Sequence, residues 1–294
     1  MTLDDFFKGS KEAWEKEQQR KADEVKAREE EERRKKIEAL KAGRAGGKKP
    51  TIIPPAASVV SPVVVPAGNF QIESLADRYR LHNVQYNNGV YVVDWSKELL
   101  ENGAAKKQQE WIVATQSTEW KIPDLQLYHA TLATLYRHKD HAAKEQQKLV
   151  KEVQQVFQQD FDPAKPYMTT STKIQYAASG LDKVTHGWGY PSAQKHSLVL
   201  VGPDAYVNPS SGLEAQMEVL LGSRDVAEIE KVYEWVSGKK PYLWRLGQAP
   251  AQDKERAAVL GCNDGNEFDI YCYYDFNYYW PSRGVVASSS RAEK

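Results

Sequence analysis

The chain has 294 residues, of which 27% are charged, 41% hydrophobic and 11% aromatic, and 40 acidic residues balance 40 basic ones. Zero net charge argues against a protein whose main task is holding duplex nucleic acid, because displacing counterions needs a basic surplus. Two cysteines argue against a disulfide scaffold and fit a reducing compartment. The first residues are acidic and then mixed in charge, without the basic-then-apolar order of a secretory signal. The expected location is cytoplasmic.

In chain order, residues 1–42 read as a charged helical arm. Helix formers run from Leu3 to Lys41, and Glu12 with Lys16, Glu24 with Arg28 and Glu29 with Arg33 stand four apart. Each such pair adds about 0.2–0.5 kcal/mol to an exposed helix. Trp14, Val25, Ile37 and Leu40 make no continuous stripe, so a coiled coil stable by itself is not indicated. The arm reads either as a solvated helix or as one that binds a protein partner or associates with itself. Residues 43–68 form a linker, glycine- and lysine-rich at first and then interrupted by Pro50, Pro54, Pro55, Pro62 and Pro66. Those prolines require an extended chain and disqualify it as a membrane span. GGKKP shares glycine and lysine with a phosphate loop but lacks the first glycine and the Lys-Ser/Thr pair, so no nucleotide site is expected.

Residues 69–284 hold nearly all the aromatic side chains and are expected to fold as one globular α+β domain, with 285–294 a disordered tail. The Asn-Gly within 84–95 signals a hairpin, and Ser96 is placed to cap a short helix ending at Gly103. The segment 110–120 suits strand and helix equally. A long amphipathic helix is expected from Asp124 to about Gln159, with a weak point near Lys139 and Gln146, where its apolar seam turns polar. Residues 173–188 alternate as a second hairpin, and Ser197–Val201 reads as a short buried strand. Ser211 with Glu214 and Asp225 with Glu228 have capping-box spacing before two helices ended by Gly222 and Gly238. Phe268–Phe276 is the clearest strand: Phe268, Ile270, Cys272, Tyr274 and Phe276 on one face, Asp269, Tyr271, Tyr273 and Asp275 on the other.

That second face carries the main candidate site. Tyr271 and Tyr273, flanked by Asp269 and Asp275 and followed by Trp280, combine amphipathic rings with acceptors. Rings of this kind stack on sugars, bases or proline-rich peptides, while carboxylates orient hydroxyls or cations. Two carboxylates six residues apart along a strand are roughly 20 Å apart, too far for paired acid–base work on one bond. His186 and Trp188, in the glycine-rich 180–196 segment, mark a second place to look for a pocket. A bland reading competes at both places: a covered tyrosine face, and a turn plugged by Trp188. His138, His141 and Glu145 do not have the spacing of a zinc protease and read as a solvated helix face. Cys262 and Cys272 form no CxxC, and the 263–269 loop lacks EF-hand spacing. No metal or cofactor is expected, and no catalytic residue is assigned. The favoured reading is a non-catalytic binding or assembly module. The alternative is a hydrolase-type enzyme with a site around 180–196 and 262–276.

Overall fold

In the computed structural model, residues 70–262 and 265–289 are described, and they belong to one compact unit, Val65–Lys294. The expected arm (1–42) and linker (43–68) lie outside the described residues.

The first hairpin joins β2 (Arg78–Tyr86) to β3 (Gly89–Leu99), with β1 (Ile72–Ser74) at its edge and β11 (Arg283–Ser289) along β3. Its turn residues are Asn87 and Asn88, both at positive φ (50° and 57°), so Gly89 opens the strand instead of making the turn. Asparagine tolerates that region because its short amide bonds locally to the backbone. Two expectations fail here. Ser96 caps no helix: β3 runs on to Leu99, and a single 3₁₀ turn follows at Leu100–Gly103. The tail expected from 285 instead begins inside β11, held by antiparallel pairing from Val285 to Ser289.

The ambiguous segment is helical, α1 (Gln108–Thr115). The expected long helix is two, α2 (Leu125–His138) and α3 (Lys144–Asp160), broken where its seam turned polar. Asp124 caps α2 by accepting from Leu127 N at 2.8 Å, and Tyr86 Oη donates to its other oxygen at 2.6 Å.

A seven-stranded sheet follows. It contains β4 (Met168–Tyr176), β5 (Asp182–His186), β6 (Gln194–Leu198), β7 (Ala205–Tyr206), β8 (Lys240–Trp244), β9 (Lys254–Cys262) and β10 (Glu267–Tyr274), in the order β6-β5-β4-β9-β10-β8-β7. All neighbours are antiparallel except β8 and β10. The second hairpin is as expected, with Lys173 opposite Thr185. The strand expected at 197–201 is displaced: β6 ends at Leu198, lies at the sheet edge and is only half-buried, and Val199 beyond it is exposed. Helix α4 (Glu214–Leu221) has no side-chain cap, since Ser211 Oγ turns back to Asn208 O, whereas Asp225 does cap α5 (Val226–Ser237) by accepting from Glu228 N. Both helices end on glycines in the left-handed region, Gly222 and Gly238.

The main core lies between the helices and the two sheets. Rings run through it in sequence: Trp95 of β3 touches Tyr128 of α2, which meets Phe157 and Phe161, and Phe161 reaches Phe268 of β10 and through it Tyr233 of α5. A small second cluster, Trp111, Ile112, Ile122 and Tyr190, forms under α1. A buried Arg283–Asp160 pair ties β11 to the end of α3, and Arg283 Nη1 also donates to Ser96 O (2.9 Å) and Lys97 O (2.7 Å) of β3.

Candidate functional site

Paired residues of neighbouring strands point to the same face of a sheet. The registers therefore lay out the surface opposite the helices row by row. Tyr206 of β7, Tyr242 of β8, Asp269 of β10 and Gly261 of β9 form one row. Trp244, Tyr271 and Val259 form the next. Rings meet across these rows: Tyr206 on Tyr242 (4.9 Å between centroids), Tyr242 on Trp244 (4.9 Å), and Trp244 stacked on Tyr271 (5.7 Å).

The row ends at Gly261 for a steric reason. A Cβ there would meet Tyr167 Cδ1 at 2.7 Å. The missing side chain leaves room for Tyr167 to lie across β9, so that its hydroxyl donates to Asp269 Oδ2, while Trp244 Nε1 donates to Oδ1 at 2.8 Å. Asp269 is fully buried, which corrects its expected place as an exposed acceptor. Burial pushes its carboxyl up to about 6, against the lowering effect of the Tyr167 and Trp244 bonds. Its work is to hold two rings in place.

The expected alternation of β10 stops at a register shift between Tyr271 and Tyr274. A bulge of this kind re-aims side chains. Tyr274, expected on the core face with Phe268, instead packs on Tyr271 (4.3 Å), Tyr167 (5.6 Å) and Trp280 (5.4 Å). Tyr273 lies against Tyr271 at 4.9 Å, and Tyr278 stacks on Trp280. Tyr271, Tyr273 and Trp280 are thus brought into one continuous aromatic network. Asp275 is not: it is exposed beyond the end of β10, 3.9 Å from Arg256, and accepts from Asn277 N.

His186 and Trp188 do not join this surface. His186 is buried, with Nδ1 3.0 Å from Thr172 Oγ1 and Nε2 2.8 Å from Val219 O. A carbonyl only accepts, so Nε2 carries the proton and Nδ1 receives the threonine hydroxyl. The pair has hydroxyl–imidazole geometry, but Thr172 and His186 are both buried and burial lowers the imidazole pKa. Trp188 is half-buried against Phe276 (5.7 Å), under the Lys173 ammonium at 4.7 Å, and packs on the small cluster beneath α1. Cys262 and Cys272 are buried free thiols; burial pushes Cys262 up to about 11 and Cys272 higher still. His186, the two cysteines and Asp269 are buried and Asp275 stands apart from them, so these residues form no accessible nucleophile–base pair.

Among the described residues no group of three His, Cys, Asp or Glu side chains is placed to hold a metal ion, and His138 stacks on Phe70 at 4.3 Å. No described helix is long and apolar enough to cross a membrane.

Four residues of the face were not singled out from sequence: Tyr167, Tyr206, Tyr242 and Trp244. Tyr242 and Trp244 did leave a signal, flanking Leu243 in a short alternating run. Their meeting with Tyr271 depends on a parallel pairing between segments separated by β9, which local pattern does not encode. No family model matches the chain, and no match to it was found among curated proteins or solved structures.

Proposed function

We propose that the chain is a non-catalytic binding or assembly module that engages its ligand through the aromatic face of β7, β8 and β10. One observation carries this reading. Half-buried or exposed rings, including Tyr206, Tyr242, Trp244 and Tyr271, adjoin one another across three strands and lie opposite the helices. Tyrosine and tryptophan combine large contact area with a polar handle and few rotors to order on binding, which is why such residues concentrate binding energy. The engagement of His186 and the burial of both thiols support a role without covalent chemistry. The protein partner expected through residues 1–42 is carried forward on sequence grounds alone. Two free thiols suit the cytoplasmic location read from composition.

Site-specific photo-crosslinking in the native host tests the reading. A benzophenone amino acid replaces Tyr206 on the face or Leu181, an exposed apolar residue on the β4–β5 connection. A discrete adduct at 206 that is absent at 181 is the expected result. Equal crosslinking at both positions, or adducts at 181 only, would remove the aromatic face as the binding surface.

A further inference from the structure

We draw no further inference here: the strongest candidate, the groove between α1 and the loop after β10 lined by Lys107, Glu110, Val113, Ala114 and Phe276, is an unpartnered apolar face, and nothing in the structure shows what covers it.

Discussion

Two buried ionisable side chains oppose each other in their effect on stability. Asp269 has a folded-state pKa raised to about 6 by burial, against about 3.9 for an unfolded aspartate. Its protonated form is the one the fold favours, so its contribution is fully present below the unfolded value and is lost as pH rises through about 6. The change is on the order of 2–3 kcal/mol. Asp269→Asn keeps an acceptor for Trp244 Nε1 without the charge. Urea unfolding should show the variant gaining on the parent by that amount between pH 4 and 7.5; a pH-independent difference would refute the burial argument. His129 behaves in the opposite sense. Its ring is buried on Tyr233 (5.8 Å), neither nitrogen has a hydrogen-bond partner, and burial followed by the Arg137 charge lowers it to about 3. A depressed imidazole contributes stability that is full above about 6.5 and falls away toward pH 3, at up to about 1.4 kcal/mol per pH unit. His129→Phe should flatten that acid limb, measured as urea midpoints from pH 7 to 4. An unchanged slope would mean that the histidine is not what titrates.

At the scale of elements, Arg283 decides whether β11 stays attached. Its guanidinium bonds Asp160 at the end of α3 and two carbonyls of β3, with both partners of the ion pair buried. Removing one partner strands the other charge, at a cost of about 3–5 kcal/mol, whereas replacing both with apolar groups of similar size costs much less. Arg283→Ala should therefore destabilise strongly, and Arg283→Met with Asp160→Leu should recover much of the loss. Chemical denaturation of both variants decides the matter, and a double variant no better than the single one would place the loss elsewhere. None of this pair was legible in sequence, because residues 160 and 283 meet only after the strands have paired. What was legible follows one rule: contacts between near neighbours leave a pattern. The Asp225 cap, the two hairpins, the polar break between α2 and α3 and the core face from Phe268 to Cys272 are all local. Ser96 and Ser211 had equally good local signals and lost, the first to the length of β3, set by its partner strands, and the second to a competing local turn with Asn208. For the candidate site, Tyr271, Tyr273 and Trp280 stood out because they crowd one segment. Tyr167, Tyr206, Tyr242 and Trp244 come from three other segments, and the bulge that brings Tyr274 among them interrupts an otherwise regular alternation.

On the scale of the whole molecule, the two sheets share one interior. Side chains from Ile72 of β1 to Val285 of β11 belong to the same buried cluster, and its rings pass without a gap from Trp95 on the four-stranded sheet to Phe268 on the seven-stranded one. A core divided between sheets would let one melt before the other; a shared one makes each sheet's packing depend on the other's. Cooperative loss of both is the physical consequence. Tryptophans are conveniently placed to report it, with Trp95 on the first sheet and Trp244 on the second. In urea, the part of the fluorescence change lost in a Trp95→Phe variant and the part lost in a Trp244→Phe variant, each taken by difference from the parent with its eight tryptophans, should fall at the same midpoint as the far-ultraviolet circular dichroism. Arg283→Ala should shift both reporters equally, although the arginine's bonds among the described residues go to the first sheet and α3. Separate midpoints, or a shift confined to Trp95, would show that the interior is divided. In that case the aromatic face of the second sheet would belong to a unit whose stability is independent of the first.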